Sequence, residues 1–162
     1  MAQLSLFNAS YRYIIDSSSI FAQKQSDALP RRVHRSLWEK IETYMLDKII
    51  VTCSEIEEEV ENDNEVGNWL RLSQCDIISI SNDIQRNVRK IVTENPNLID
   101  FSAKNGSSSG DAFLIGTAMD YGLIIITEEK KTKKNKIPMI CQQYGIETIN
   151  LTELCVKENW SF

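Results

Sequence analysis

Short apolar segments alternate with longer amphipathic segments along most of the chain. Four short segments rich in isoleucine, leucine and valine are predicted to be strands, because short apolar runs between helical segments are typical of buried strands. They are residues 13–15, 48–52, 123–127 and 146–149, and residues 76–81 form a further short extended candidate. Residues 102–110, rich in glycine and serine, have the composition of a loop.

The segments between the strands have the period of helices that bury one face. The predicted helices cover residues 33–46, 54–61, 64–72, 82 or 83 to about 96, 111–121, a short segment from 138, and 151–158. Ser54 is expected to cap the second of these with Glu57 as its capping-box partner, and Asn82 or Asp83 to cap the fourth. Gly122 is expected to end the helix that starts at Asp111.

Apolar strands separated by helices predict an α/β fold, with a parallel central sheet between two helical layers. In such a three-layer α/β/α sandwich, ligands bind beyond the carboxyl ends of the strands. The 162 residues are expected to form a single domain, residues 1–162. The polar residues that follow each predicted strand are therefore the first candidates for chemistry.

Composition and charge exclude several classes of protein. The chain is 42% hydrophobic with a net charge of −5, which excludes a uniformly basic nucleic-acid binder. No apolar run approaches the ~18 residues of a membrane span, and residues 1–12 lack the features of a secretion signal. Four scattered cysteines and one histidine make a zinc site improbable and predict buried thiols in a cytoplasmic protein.

Acidic residues follow two of the predicted strands and begin one apolar helix. Asp16 ends the first strand and could cap the next helix, although Ser17, Ser18 and Ser19 could cap it equally well. Asp111 begins the apolar helix, and the alternative to a functional role is that it acts merely as a cap or a helix-dipole partner. Glu128 and Glu129 follow the third strand, where a solvated loop is the alternative, and alternation places Glu129 on the same side as Thr127.

A further carboxylate is expected from the glutamate-rich helix after the second strand. Ile56 and Val60 mark its buried stripe, which Glu57 and Glu59 flank while Glu58 points away. Periodicity does not choose between Glu57 and Glu59. Several carboxylates at one end of a sheet repel each other unless a cation lies between them. Oxygen ligands select Mg²⁺ or Mn²⁺, which points to metal-assisted phosphodiester hydrolysis.

These residues, in this order, resemble a PIN domain over nearly the whole chain. The motifs are Ile14-Ile15-Asp16-x-Ser18, Ile50-Val51-x-x-Ser54-x-Ile56-x-x-Glu59-Val60, Gly110-Asp111-Ala112-x-Leu114-Ile115-x-x-Ala118 and Ile125-Ile126-Thr127-x-Glu129. The tail resembles a PIN-like subgroup catalogued as domain of unknown function 4411. Its motifs are Lys136-Ile137-Pro138, Cys141, Tyr144-Gly145-Ile146, Asn150-Leu151, Leu154 and Trp160-Ser161-Phe162.

The resemblance implies a Rossmann-like α/β/α sandwich and a Mg²⁺- or Mn²⁺-dependent ribonuclease. Many PIN proteins are toxins held inactive by a small antitoxin, and many form dimers. By position, the implied catalytic acids are Asp16, Glu59, Asp111 and Glu129, and all but Glu59 are expected to bind the metal. Ser18 and Thr127 match polar positions that support these acids. Most PIN domains have aspartate where this chain has Glu129, and the longer side chain puts a second metal ion in question.

Two basic clusters are candidate contacts for a nucleic-acid backbone, because lysine and arginine neutralise phosphates. One is the lysine-rich loop after Glu129, and the other lies at the head of the first long helix. For the loop, the alternative is that its exposed charges only keep the protein in solution. The two clusters comprise Lys130, Lys131, Lys133, Lys134 and Lys136, and Arg31, Arg32 and Arg35. Residues 106–110 lack the lysine of a P-loop and are expected to be a flexible loop near the site.

Three hypotheses follow from the sequence. The first is a metal-dependent endoribonuclease, the toxin of a type II toxin–antitoxin module, with RNA as substrate, an antitoxin as partner and a homodimer as its assembly. The second is a catalytically silent PIN-like module that binds RNA or protein. The third, a phosphatase with Asp16 as nucleophile, is weaker because Ser18 stands where such enzymes commonly carry a second aspartate. Trp38, Trp69 and Trp160 are expected in the core or an interface.

Overall fold

A computed structural model describes residues 10–24, 28–98 and 109–162. Five strands form one parallel sheet: β1 (Tyr13–Ile15), β2 (Ile50–Cys53), β3 (Ile77–Ile78), β4 (Ile124–Ile126) and β5 (Thr148–Ile149). Helices flank the sheet, as predicted for an α/β sandwich. They are α1 (Ser17–Phe21), α2 (Arg35–Leu46), α3 (Ser54–Glu61), α4 (Asn64–Leu72), α5 (Asn82–Glu94), the 3-10 helix Pro96–Leu98, α6 (Ser109–Tyr121), α7 (Ile137–Gln143) and α8 (Leu151–Lys157).

The strand order is β3-β2-β1-β4-β5, so β1 lies at the centre of the sheet. Tyr13 pairs with Ile50 of β2, and Ile15 pairs with Ile126 of β4. Strands β1 and β2 are buried on both faces, which explains why their sequence does not alternate. The chain leaves β3 at one edge and returns as β4 on the other side of β1. The carboxyl ends of β1 and β4 therefore form the switch point at which such sheets bind ligands.

Helix α6 is apolar because neighbouring elements cover it almost completely. Its Gly116 lies against α5, where an added Cβ would come within 2.9 Å of Val88 Cγ2. Gly122, with a φ of 68°, ends the helix as predicted, in a conformation that costs glycine little. This packing holds the first turn of α6, which carries Asp111, in a fixed place beside the sheet.

Two predicted helix caps are wrong. Ser54 is the first residue of α3, whose N-cap is Cys53 without a side-chain hydrogen bond, because the helix starts directly from the end of β2. Ser81, rather than Asn82 or Asp83, caps α5 by accepting a hydrogen bond from Ile84 N–H. The predicted loop at residues 102–110 lies mostly outside the described residues, and its last two residues already belong to α6.

The three tryptophans pack against other aromatic rings, and the four cysteines form no disulfide. Trp38 and Trp69 are buried and meet edge to face, with ring centroids 5.5 Å apart, as expected for core residues. Trp160 packs against Tyr44 at 4.8 Å. The four cysteines are all free thiols. No helix within the described ranges is both long and apolar enough to cross a membrane.

Candidate active site

The four predicted acids lie at the carboxyl ends of the central strands. Asp16 follows β1 directly, and its N–H still donates to Ile126 O of β4 at 2.8 Å. Glu129 lies three residues beyond the end of β4, Glu59 is on α3, and Asp111 is in the first turn of α6. The charges of Asp16, Glu129 and Glu59 all act on Asp111. The fold thus brings together four carboxylates that are far apart in sequence.

Asp16 is a buried carboxylate with two unequal oxygens. Its Oδ2 accepts hydrogen bonds from Ser18 Oγ at 2.6 Å and from Thr127 Oγ1 at 2.9 Å. The side-chain contact of its Oδ1 among the described residues is a long one, from Ser17 Oγ at 3.5 Å, and the backbone N–H groups of Ser17 and Ser18 also act on the carboxylate. Asp16 occupies the N-cap position of α1 without making a side-chain cap hydrogen bond. Capping therefore does not explain this aspartate, and Oδ1 is the oxygen that remains for a ligand.

Ser18 and Thr127 connect Asp16 to the segment that carries Glu129. Glu128 N–H donates to Ser18 Oγ at 3.0 Å, and Glu129 N–H donates to Thr127 Oγ1 at 3.2 Å. Each hydroxyl has one proton, which it gives to Asp16 Oδ2, so each accepts from the backbone and donates to the carboxylate. These hydrogen bonds, through the hydroxyls of Ser18 and Thr127, fix the start of the lysine-rich loop relative to β1. Ser18 and Thr127 thus hold the supporting positions that the sequence predicts.

The structure distinguishes Glu59 from Glu57. Ser17 Oγ donates to Glu59 Oε2 at 2.8 Å, whereas Glu59 Oε1 is buried and has no hydrogen-bond partner in the described structure. Glu57 instead experiences the charges of Glu61 and Arg71, on the side of α3 away from Asp16. Glu58 is exposed, as predicted. Of the two residues that flank the buried stripe, Glu59 is the one that faces the site.

Glu128 and Glu129 both have specific backbone partners. Glu128 is nevertheless exposed, whereas Glu129 is half-buried, so the solvated-loop alternative fails for Glu129. Glu129 Oε1 accepts from Ile137 N–H at 2.9 Å, and Glu128 Oε2 accepts from Leu151 N–H at 2.9 Å. These bonds tie the end of β4 to the first residues of α7 and α8. Burial raises the pKa of both carboxyl groups, while the hydrogen bonds from Ile137 and Leu151 oppose that rise.

Asp111 is a strongly perturbed acid. Burial, together with the negative charges of Asp16, Glu129 and Glu59 in that order, raises its pKa to about 8. The ammonium group of Lys136 acts in the opposite direction. Burial also raises the pKa of Asp16, against the hydrogen bonds from Ser18 and Thr127. Carboxyl groups held in such surroundings mark functional sites more often than structural ones.

The chemistry of the acids suits a hard divalent cation, but their side chains do not converge on one point. The three candidate ligands, Asp16, Asp111 and Glu129, all offer oxygen, and the buried, unpartnered Glu59 Oε1 beside them lacks a hydrogen-bond donor in the described structure. Across residues 10–24, 28–98 and 109–162, no three His, Cys, Asp or Glu side chains lie close enough together to hold a metal ion. A Mg²⁺ or Mn²⁺ ion would therefore be bound by Asp16, Asp111 and Glu129 only after their side chains move together.

The two predicted basic clusters lie in different surroundings. The loop lysines are exposed. Lys130 and Lys131 border a cavity of about 280 Å³ that Glu129 also lines, and Lys131 pairs with Glu153 at 2.8 Å. These exposed lysines are Lys130, Lys131, Lys133 and Lys134. Arg31 and Arg32 line a separate groove of about 600 Å³ at the start of α2, which none of the four acids lines. Arg31 there contacts Gln23 at 3.1 Å and Glu65 at 4.0 Å.

Two residues have roles in the site that the sequence pattern does not predict. Ser17 is predicted only as one of three possible caps, yet its hydroxyl contacts Glu59 across 42 positions of sequence. Lys136 belongs to the predicted group of loop lysines, but its charge also lowers the pKa of both Asp111 and Glu129. The sequence signals for these roles are the position of Ser17 beside Asp16 and that of Lys136 beside the start of α7.

Comparison with known proteins assigns the chain to a family. Residues 13–162 match the family model described as Domain of unknown function (DUF4411). The chain belongs to the DUF4411 family. Its fold is PIN-like, as the sequence resemblance predicts. No curated protein matches this DUF4411 chain.

Solved structures share the fold of this DUF4411 protein at low sequence identity. The structure of PAE2754 from Pyrobaculum aerophilum is 14% identical with a TM-score of 0.56, covering 96% of this chain and 95% of the other. A DNA-bound VapBC from Salmonella typhimurium is 12% identical with a TM-score of 0.54, covering 87% and 98%. FitAcB from Neisseria gonorrhoeae is 13% identical with a TM-score of 0.51, covering 86% and 98%.

Proposed function

We propose that this DUF4411 protein is a Mg²⁺- or Mn²⁺-dependent endoribonuclease that cleaves RNA in the cytoplasm. The observation that carries the proposal is the meeting of Asp16, Glu59, Asp111 and Glu129. Burial, and after it the charges of the other three acids, raises the pKa of Asp111 to about 8. Such mutual repulsion costs stability, and a divalent cation would relieve it. Shared fold alone would not justify an activity, because one fold serves many functions.

The residues of the site have separable roles in this proposal. Asp16 Oδ1, Asp111 and Glu129 would hold the metal ion, and Asp16 is kept in place by the hydroxyls of Ser18 and Thr127. The ion would supply a Lewis acid for the phosphate and lower the pKa of a bound water. Glu59 would orient that water for attack, and the family resemblance implies 5′-phosphate and 3′-hydroxyl products.

The lysine-rich loop would hold the RNA backbone beside the acids. Lys130 and Lys131 border the cavity that Glu129 also lines, so a strand bound there would pass the carboxylates. Lysine contacts to phosphate give affinity without reading sequence. We assign Arg31 and Arg32 a secondary contact with a longer RNA, because their groove lies apart from the acids.

The direct test is cleavage of RNA by the purified protein with and without Mn²⁺ or Mg²⁺. We expect metal-dependent cleavage that Asp16→Asn abolishes. Asp83→Asn is the matched control, because Asp83 is an exposed aspartate that pairs only with Arg86 in its own helix among the described residues. Cleavage that persists in Asp16→Asn, or that needs no metal, would refute the proposal.

We further propose that the protein is a toxin of a type II toxin–antitoxin module. Similar structures include the VapBC and FitAcB complexes, whose DNA-bound members point to a partner that also binds DNA. An antitoxin partner is expected by this analogy, and the resemblance to PIN domains implies a homodimer. Co-expression with the product of the adjacent reading frame should suppress cleavage and yield a stable complex, and the mass of the isolated chain should be that of a dimer.

One observation favours the alternative of a catalytically silent module that binds RNA or protein. The carboxylates repel each other, yet no three described side chains are placed to share a metal ion. Calorimetric titration with Mn²⁺ separates the two functions. A nuclease should bind Mn²⁺ through Asp16 and lose that binding in Asp16→Asn, whereas a silent module should show no carboxylate-dependent binding.

A further inference from the structure

Ser17 is a site residue whose hydroxyl serves a different carboxylate from that of Ser18. Ser18 donates to Asp16 Oδ2 at 2.6 Å, whereas Ser17 donates to Glu59 Oε2 at 2.8 Å. The second acceptor near Ser17, Asp16 Oδ1, is 3.5 Å away. Because a serine hydroxyl has one proton, the short contact to Glu59 takes it. The two adjacent serines thus hold two acids from different elements.

The two oxygens of Glu59 are made unequal by this bond. Oε2 is engaged by Ser17, while Oε1 is buried and lacks a partner in the described part of the chain. An unpaired buried carboxylate oxygen is costly and requires an explanation, which a bound water or ion would supply. The carboxylate cannot rotate to relieve this cost without breaking the bond to Ser17. Ser17 therefore holds one oxygen of Glu59 in an unsatisfied position.

We infer that Ser17 is a positioning residue for the proposed nuclease: it orients Glu59 so that Oε1 accepts a hydrogen bond from the attacking water. The inference rests on the proposed function, because it assigns the water-orienting role to one atom of Glu59. It also separates two tasks within the dipeptide after Asp16. Ser18 supports the acid that holds the ion, whereas Ser17 supports the acid that directs the water.

The test compares Ser17→Ala, Ser17→Thr and Ser19→Ala. Ser19 is the matched control, because it lies on the same helix, is buried, and has a hydroxyl without a partner among the described residues. We expect kcat of Ser17→Ala to fall about 10- to 100-fold, as for a misplaced catalytic group, with KM unchanged. Ser17→Thr, which keeps the hydroxyl, should restore kcat, and Ser19→Ala should behave as wild type.

Calorimetric Mn²⁺ binding provides a readout other than activity. Ser17→Ala should bind Mn²⁺ as wild type does, because the assigned ligands are Asp16, Asp111 and Glu129. The inference is wrong if Ser17→Ala cleaves RNA as well as Ser19→Ala, or if its affinity for Mn²⁺ falls in step with kcat. In the second case Ser17 would act on the metal ligand Asp16 rather than on Glu59.

A double-mutant cycle in urea unfolding tests the contact without metal or RNA. The stability lost in Ser17→Ala should disappear when Glu59 is already alanine, since the hydroxyl then has no carboxylate to serve. An equal loss in both backgrounds would overturn the inference. If the wild type cleaves no RNA, the proposed function and the catalytic role of Ser17 fail together, and the cycle still decides whether the bond exists.

Discussion

Removing the charge of Asp111 should stabilise the metal-free protein, and increasingly so as the pH rises. The pKa of this carboxyl group is raised from its ordinary value of 3.8 to about 8, first by burial and then by Asp16, Glu129 and Glu59. Between these two values the folded protein holds a proton that the unfolded chain has released. Stability therefore falls as the pH rises through this window, which is opposite to the usual behaviour of a carboxylate.

The size of the effect follows from proton linkage. Within the window, each pH unit costs the folded protein about 1.4 kcal/mol relative to a variant without this ionisation. Asp111→Asn keeps the shape of the side chain and removes the ionisation. Its stability relative to wild type should therefore improve by about 3 kcal/mol between pH 5 and pH 7.5. The change with pH is the diagnostic quantity, because any fixed cost of the amide cancels.

Urea unfolding of both proteins at half-unit pH steps, with EDTA present, measures this difference. Asp83→Asn, an exposed aspartate in the first turn of α5, is the control and should follow the pH dependence of wild type. Mn²⁺ should reverse the order, since it stabilises only a protein that retains its ligands. If the difference between Asp111→Asn and wild type does not change from pH 5 to pH 7.5, the four acids do not share a site.

Three other predictions test the surroundings of the site. Thr127→Val keeps the volume but removes a hydrogen bond to the buried Asp16, so urea unfolding should show a loss of about 1–3 kcal/mol and Mn²⁺ should bind more weakly. Gly116→Ala should cost about 1–3 kcal/mol in the same assay, because its Cβ would lie 2.9 Å from Val88 Cγ2; unchanged stability would show that α5 can shift. Replacing four exposed loop lysines by alanine should weaken RNA binding and flatten its salt dependence in filter-binding assays, whereas an unchanged salt slope would place the RNA elsewhere. The four are Lys130, Lys131, Lys133 and Lys134.

The strands could be predicted from sequence because β1 and β2 are buried on both faces. Burial on both faces leaves continuous apolar runs that no amphipathic helix would have. Helix caps were harder, because hydrogen-bond geometry decides which of several adjacent polar residues serves. Ser54 and Asn82 have suitable side chains, yet each is already the first residue of its helix, and the N-cap position falls one residue earlier, at Cys53 and Ser81. Periodicity locates a helix to within a residue or two, which is too coarse for a cap.

The site could be predicted in part, by the rule that ligands bind where parallel strands end. That rule identified Asp16 and Glu129 directly, and the apolar helix after the loop identified Asp111. It left Glu57 and Glu59 equivalent, because both flank the buried stripe of α3. The contact that separates them comes from Ser17, on another element, and no local pattern reports it. The resemblance to PIN domains selected Glu59, and the structure agrees for a physical reason.

The glutamate at position 129 has a structural consequence that an aspartate would not share to the same extent. Its Oε1 accepts from Ile137 N–H at 2.9 Å, so the bond closes the base of the lysine-rich loop, residues 130–136. Its backbone N–H is held by Thr127, which also holds Asp16. The loop is therefore fixed at both ends to the group of acids. Since a carboxylate has two oxygens, Glu129 can keep Ile137 on one and offer the other to a cation. In the proposed nuclease, one residue would thus serve the metal ion and hold the lysines beside it.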